Sequence, residues 1–311
     1  MKKIVTIGGG TGQYTLLRGL KNYDIDLTAI VSVLDNGGSS GELRADFGIL
    51  PPGDLRNCLL ALADDSKIGD LKHIFQYRFP EGKLSNHNLG NLILAALNEK
   101  YGNMGEAVQA VSKILGIKGR VLPVSVDYAN VYAKNSQGKI LKGESEINYS
   151  PDAKNIESLW IEPDAYIYKE AAEALRQANL IVISPGELYG SILPNFLIKG
   201  FIEAIKESKA KVVYVCNLVT KQGTFGFKAS DFLKIIETAL GKKVDYIVCN
   251  TEKPSTKIVD KYQQEESFFV EPDLKGENVI TGDFLTEFDV GGFITARHDS
   301  DKIARVILSL S

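Results

Sequence analysis

Apolar runs along this chain alternate with polar, glycine-containing loops. Residues 3–7, 27–34 and 180–184 are mostly apolar, which is typical of strands that are buried on both faces of a sheet. Between the first two runs, residues 14–20 carry apolar side chains at helical spacing. A strand, a helix and a second strand in this order predict a parallel pair joined by a right-handed crossover.

The same alternation returns in the second half of the chain. Residues 196–205 and 232–240 have the periodicity of helices, and residues 212–215 and 244–248 that of buried strands. Residues 301–310 predict a final helix. Strands that alternate with helices indicate an α/β fold built on a mostly parallel sheet.

The middle of the chain has a different pattern. Residues 54–115 are mostly helical, but residues 121–161 are not. Within the latter segment, residues 131–133 and 140–141 flank a polar turn, as the strands of a β-hairpin do. We interpret residues 121–161 as a β-rich insert in one domain that spans residues 1–311.

Composition and charge narrow the class of protein. With 311 residues, of which 44% are hydrophobic and 24% charged, the chain has the composition of a globular protein with a sizeable core. Its formal net charge of −3 provides no general attraction to nucleic acid or to an anionic membrane. We therefore expect no binding to nucleic acid. We also expect no membrane insertion, since no apolar run approaches the roughly 18 residues of a membrane-spanning helix.

The cysteines indicate a reducing compartment. Cys58, Cys216 and Cys249 are far apart, and each lies in an apolar run, as small buried side chains do. Their odd number and wide spacing argue against a disulfide scaffold. We therefore predict a cytoplasmic protein.

A glycine-rich loop at residues 8–12 is the first candidate for ligand chemistry. It follows a buried strand and precedes a helix, so its free N–H groups and the helix N-terminus favour an anion such as phosphate. It is not a P-loop, since no Gly-Lys-Ser/Thr follows, and Gln13 breaks the dinucleotide fingerprint. A tight turn without a ligand is the alternative. The candidate ligand-binding residues are Gly9, Gly10, Thr11 and Gly12.

A second polar loop follows the second strand. Asp35 could accept hydrogen bonds from a ribose or hold Mg²⁺, and the alternative is a plain mobile loop. Arg44 either closes over a phosphate or is a solvated charge. The candidates are Asp35, Gly38, Ser39, Ser40 and Arg44.

Two helix starts carry further polar residues. Asp54 is a natural helix cap, but Arg56 and Asn57 in the first turn could point toward an oxyanion. Residues 86–91 contain three asparagines and a histidine before an apolar run, which is more than capping requires. The candidates are Asp54, Arg56, Asn57, His87 and Asn91.

The remaining candidates follow later strands. Ser184, Pro185 and Gly186 come after a buried strand, and Asn217 follows another. Open α/β sheets bind ligands beyond these carboxyl ends. Arg297 is a candidate bidentate partner for a diphosphate. The three histidines lack the spacing of metal ligands, and the sequence identifies no catalytic nucleophile.

Six motifs, in order, resemble the YvcK-type gluconeogenesis factor family, which is related to the 2-phospho-L-lactate transferase CofD. The resemblance covers essentially the whole chain. The motifs are the glycine loop, residues 35–44, residues 51–57, residues 87–92, residues 184–189 and residues 297–299.

The resemblance implies a Rossmann-like, doubly wound fold with helical and β-rich insertions. It also implies binding of a nucleotide-sugar, UDP-N-acetylglucosamine in particular, and a role in carbon metabolism and in the control of cell wall and cell shape. By similarity the site is lined by the glycine loop, Asp35, residues 54–57, residues 87–91 and residues 184–189, which include Leu188. Tyr262 and Arg297 match positions that contact the uridine nucleotide. CofD relatives instead move a phospholactyl group from a GDP-activated donor with Mg²⁺.

The chain departs from the family pattern at three places. Asn36 follows Asp35 where two acidic residues are usual, which weakens a metal role. Asn86 precedes His87 where glycine is usual. Residues 223–227 lack the usual acidic residue, and Phe232 stands where a histidine is usual.

Three hypotheses remain. The first is a nucleotide-sugar-binding regulator that needs no turnover and no cofactor, with a homodimer and a regulatory protein partner as further expectations. The second is a CofD-like transferase that uses Mg²⁺, with Asp35 as its catalytic candidate. The third is a dinucleotide-dependent oxidoreductase, against which the break at Gln13 counts.

Overall fold

A computed structural model describes residues 1–290 and 293–311. Its strands are β1 Lys3–Gly8, β2 Asp26–Val31, β3 Arg120–Pro123, β4 Asn130–Asn135, β5 Ile140–Lys142, β6 Ile156–Glu162, β7 Leu180–Ile183, β8 Lys211–Val215, β9 Tyr246–Asn250, β10 Val279–Gly282, β11 Leu285–Val290 and β12 Phe293–His298.

Helices surround these strands. They are α1 Gly10–Leu20, α2 Gly38–Phe47, α3 Gly53–Leu62, α4 Asp65–Ile68, α5 Leu71–Gln76, α6 Leu89–Tyr101, α7 Met104–Leu115, α8 Gly143–Tyr149, α9 Lys169–Gln177, α10 Leu193–Phe196, α11 Phe201–Glu207, α12 Ala229–Leu240, α13 Thr256–Gln264 and α14 Ser300–Leu310. A π-helical turn, Leu188–Ile192, precedes α10. None of the helices in the described residues is long and apolar enough to span a membrane.

Seven parallel strands form the central sheet, in the order β10-β9-β8-β7-β1-β2-β3. This confirms the predicted α/β fold. Every residue of β7 is fully buried, as expected for a central strand that helices cover on both faces. The chain winds one way from β1 to β3 and the other way from β7 to β10. The order therefore reverses between β1 and β7, where such sheets open a ligand crevice.

Two antiparallel sheets are added to this core. The predicted hairpin is confirmed as β4 and β5, which form a sheet with β6 in the order β5-β4-β6. β3, at the start of the segment interpreted as an insert, instead pairs with β2 in the central sheet. β11 and β12 form a second hairpin, which the sequence pattern did not predict.

Some predicted element boundaries were wrong. Residues 196–205 were expected to form one helix, but α10 ends at Phe196 and α11 begins at Phe201. Gly200 lies between them at φ +88°, a conformation that interrupts a right-handed helix. The three cysteines are buried and unbonded, in keeping with their apolar surroundings.

Candidate functional site

A cleft of about 700 Å³ lies at the carboxyl ends of the central strands, where the strand order reverses. Residues of the loop after β1 and of the loop after β7 line it. So do residues of helix α8 and of the second half of β12. Eleven of the sequence-predicted residues line this cleft: Gly9, Gly10, Thr11, Gly12, Asp35, Gly38, Asp54, Pro185, Gly186, Asn217 and Arg297.

The glycine loop is packed tightly between two neighbours. A Cβ on Gly12 would lie 1.9 Å from the carbonyl oxygen of Pro185, and a Cβ on Gly9 would lie 2.5 Å from Oδ2 of Asp54. Gly10 has φ +61°, in the left-handed region that glycine adopts at little cost. Close backbone approach therefore requires glycine at position 12, and the left-handed conformation favours it at position 10. The amino end of α1 faces the cleft.

Four carboxyl groups face the cleft: Asp35, Asp54, Glu144 and Glu187. Burial raises the pKa of Asp35, and raises the pKa of Glu144 well above its usual range. The two side chains also hydrogen-bond each other. Burial, with repulsion from Asp35, raises the pKa of Asp54 to about 6. These groups therefore hold protons more strongly than exposed carboxylates do.

Two cationic side chains, Arg297 and Lys221, line the same cleft. Within the described residues, neither the guanidinium of Arg297 nor the ammonium of Lys221 makes a hydrogen bond or a close ion pair. Glu187 is an electrostatic neighbour of Lys221, although burial raises the pKa of Glu187 to about 7. A cleft with two uncommitted cations beside a helix N-terminus is suited to a phosphorylated ligand.

Arg44 lies away from the cleft surface. It is only 3% exposed, and its guanidinium donates to the carbonyl oxygens of Leu34, Asp35 and Ala129. The side chain thus ties the end of β2 to the segment before β4. This placement matches neither the phosphate-closing role nor the solvated charge expected from the sequence.

Six further predicted residues do not line the cleft and instead form a polar network that joins α2 to neighbouring helices. Arg56 donates to Oδ1 of Asn91 at 2.9 Å and to Oδ1 of Asn57 at 2.8 Å. Asn91 in turn donates to the hydroxyl of Ser39 at 3.3 Å. Nδ1 of His87 lies 3.3 Å from that hydroxyl. The network, which includes Ser40, connects α2, α3 and the start of α6 beneath the site.

Ser184, Leu188 and Tyr262 lie behind the cleft lining. Ser184 and Leu188 are almost fully buried. The hydroxyl of Tyr262 lies 2.7 Å from Oγ1 of Thr295, which does line the cleft. Tyr262 therefore positions the end of β12, two residues before Arg297.

Several cleft residues were not among the predicted ones: Thr15, Glu144, Ser145, Asn148, Tyr149, Ser191, Lys221, Thr295 and His298. Glu187 also lines the cleft, and it belongs to the 184–189 motif that the resemblance assigns to the site. Glu144, Ser145 and Asn148 lie in the insert and carried no local signal. Burial lowers the pKa of His298 to about 4, so this imidazole is neutral near pH 7.

The raised pKa of Asp54 has a consequence for stability. A carboxyl with a folded-state pKa above its unfolded value stabilises the fold when protonated, and that stability is lost as the pH rises through about 6. Asp54→Asn should therefore be more stable than the wild type by about 1–3 kcal/mol above pH 7, and this difference should shrink toward pH 4. Denaturant unfolding at several pH values measures it. The exposed Asp24→Asn serves as control, and a pH-independent difference would contradict the assignment.

Comparisons with known proteins show which family and which solved structure the chain resembles. The family model for 2-phospho-L-lactate transferase CofD matches residues 4–285. A Thermotoga maritima protein is 45% identical, with 99% of each chain covered. The gluconeogenesis factor of Bacillus subtilis is 39% identical, over 99% of this chain and 98% of its own. A crystal structure of a Bacillus halodurans protein of the UPF0052 family superposes with a TM-score of 0.91 at 41% identity, covering 99% of this chain and 100% of that one.

Proposed function

Because the chain belongs to the CofD family, with gluconeogenesis factors among its full-length relatives, we propose that its cleft binds a nucleotide-sugar of the UDP-N-acetylglucosamine type as a regulatory ligand. The observation that carries the proposal is the pairing of a phosphate-suited glycine loop with two uncommitted cations, Arg297 and Lys221, at the switch point of the sheet.

The geometry supports a diphosphate in the middle of the cleft. The N-terminus of α1 presents backbone N–H groups, and a guanidinium binds phosphate oxygens through two parallel hydrogen bonds. Tyr262 supports Thr295 beside Arg297, and in this proposal the uridine end of the ligand lies along β12. The volume of about 700 Å³ is within the range of pockets for ligands of this size.

As a regulator the protein would act in the cytoplasm on carbon metabolism and on cell-wall and cell-shape control. Ligand occupancy, rather than product formation, would be the signal in this proposal. In this proposal the second subunit of a homodimer, or a regulatory protein partner, would respond to ligand occupancy.

A CofD-like transferase is the second candidate, and the four cleft carboxyl groups favour it. Mg²⁺ usually binds one or two carboxylates together with phosphate oxygens, and Asp35 and Asp54 stand next to the glycine loop as such ligands. Within residues 1–290 and 293–311, no three His, Cys, Asp or Glu side chains are arranged to hold a metal ion. In this candidate function an ion held by these carboxylates and by the ligand's phosphate oxygens would supply charge neutralisation.

Calorimetric titration with UDP-N-acetylglucosamine, GDP and NAD, each with and without Mg²⁺, tests the proposal. We expect the uridine sugar to bind without Mg²⁺ and to be recovered intact after prolonged incubation. Preference for GDP with Mg²⁺, together with time-dependent loss of a GDP-activated donor, would establish the transferase instead. Binding of NAD alone would indicate an oxidoreductase, and no binding of any of the three would refute all these assignments.

A further inference from the structure

Helix α8 provides the cleft with a wall that none of the phosphate-suited loops supplies. Glu144, Ser145, Asn148 and Tyr149 all line the cleft. Residues 144 and 148, like residues 145 and 149, are four apart, so one face of the helix carries all four side chains. The insert between β3 and β7 therefore contributes directly to the site.

This wall is held in place from two sides. The N–H of Ser145 donates to Oδ1 of Asn36 at 2.9 Å, which ties α8 to the loop after β2. Gly143 has φ +80°, and a Cβ there would lie 2.0 Å from Nδ2 of Asn36. On the other side, the hydroxyl of Ser191 donates to Oε1 of Glu144 at 2.8 Å. The polar face of α8 is thus positioned before any ligand arrives.

The chemistry of this wall is opposite to that of the glycine loop. Glu144 hydrogen-bonds Asp35, so two carboxyl groups lie side by side in this wall. The carboxyl of Glu187 makes no hydrogen bond within the described residues, and Lys221 and Glu144 are charged neighbours of it. Ionised carboxylates only accept hydrogen bonds, so they attract hydroxyl groups and repel anions.

We infer that the α8 face, with Glu187, is a subsite for the neutral, hydroxyl-bearing part of the ligand, and that it excludes a carboxylate from that position. This inference rests on the proposed function, since it assigns the half of the nucleotide-sugar that the phosphate loops do not hold. It also separates the two candidate functions, because a phospholactyl donor would bring a carboxylate to this wall. The exposed ring of Tyr149 adds an apolar surface against which a sugar ring can pack.

A matched pair of ligands tests the subsite. UDP-glucose and UDP-glucuronate differ only in a hydroxymethyl group and a carboxylate. At pH 8 we expect the wild-type protein to bind UDP-glucose at least about tenfold more tightly, because of like-charge repulsion. Glu187→Gln should reduce this ratio by strengthening UDP-glucuronate binding, since burial raises the pKa of Glu187 only to about 7 and its carboxyl is ionised at pH 8. Glu146→Gln, an exposed position on the same helix, is the matched control and should leave the ratio unchanged.

The outcomes distinguish this inference from the function on which it rests. If UDP and both sugars fail to bind, the proposed function is wrong and the subsite is refuted with it. If UDP binds but the two UDP-sugars bind equally to the wild type, or the ratio is unaffected by Glu187→Gln, the subsite alone is refuted. Asn148→Ala gives an independent reading. It should bring UDP-glucose affinity down toward that of UDP while leaving UDP affinity unchanged.

Discussion

Arg297→Ala is expected to weaken binding of UDP-N-acetylglucosamine by about 100-fold. A guanidinium forms paired, charge-assisted hydrogen bonds with phosphate, and each hydrogen bond to a charged group contributes about 1.5–3 kcal/mol. Arg297 lines the cleft, and within the described residues its guanidinium has no protein partner. Its charge is therefore available to a ligand. Isothermal titration of the variant against the wild type measures the loss.

Two further variants show whether charge or geometry matters. Arg297→Lys keeps the charge but loses the planar fork, so it should restore only part of the affinity. Arg305→Ala removes an exposed arginine on α14 and should bind like the wild type. The thermal stability of Arg297→Ala should also be unchanged, since no internal bond is lost. Affinity within threefold of the wild type would place the phosphates elsewhere.

The glycine loop and the 184–186 turn were predictable because they directly follow buried strands. In a parallel sheet all carboxyl ends meet at one edge, so sequence position alone brings Gly10, Gly186 and Asn217 to the same cleft. Asp299 caps α14, since its side chain accepts from the N–H groups of Asp301 and Lys302.

Side-chain direction was not predictable in the same way. Arg44 and Arg56 stand in motifs that point to phosphate chemistry, yet their guanidinium groups are committed to carbonyl and amide oxygens of neighbouring segments. A buried arginine binds whichever acceptors the packing provides. Some of them are distant in sequence, such as Ala129 for Arg44 and Asn91 for Arg56. The local sequence therefore does not indicate which acceptors the guanidinium of a buried arginine binds.

The contribution of α8 could not be predicted for a related reason. Glu144 meets Asp35 across more than a hundred positions of sequence, and the contact depends on the packing of the β4-β5-β6 sheet against the core. The hairpin itself was visible in the pattern of apolar residues, but its docking surface was not. A polar helix face signals exposure to water as readily as it signals a site.

Gly12→Ala is expected to destabilise the protein by about 3 kcal/mol and to abolish ligand binding. The added Cβ would lie 1.9 Å from the carbonyl oxygen of Pro185 and 3.1 Å from its Cγ. Because the nearest atom belongs to the backbone, no change of side-chain rotamer relieves the clash. The loops after β1 and β7 must separate, and overpacking of this kind costs about 1–3 kcal/mol or more.

Gly10→Ala is the matched comparison, since a Cβ at Gly10 meets no atom within 4 Å. Its cost is the strain of φ +61°, about 1 kcal/mol, and a small side chain there should leave part of the binding intact. Bulkier residues at Gly10 should fill the space above the loop and remove binding without further loss of stability. Denaturant unfolding of both variants, and their titration with the ligand, distinguish the effect of the clash at position 12 from that of backbone strain at position 10. If Gly12→Ala were no less stable than Gly10→Ala, the close approach of the two loops would be wrong, and the phosphate position would have to be assigned to another part of the cleft.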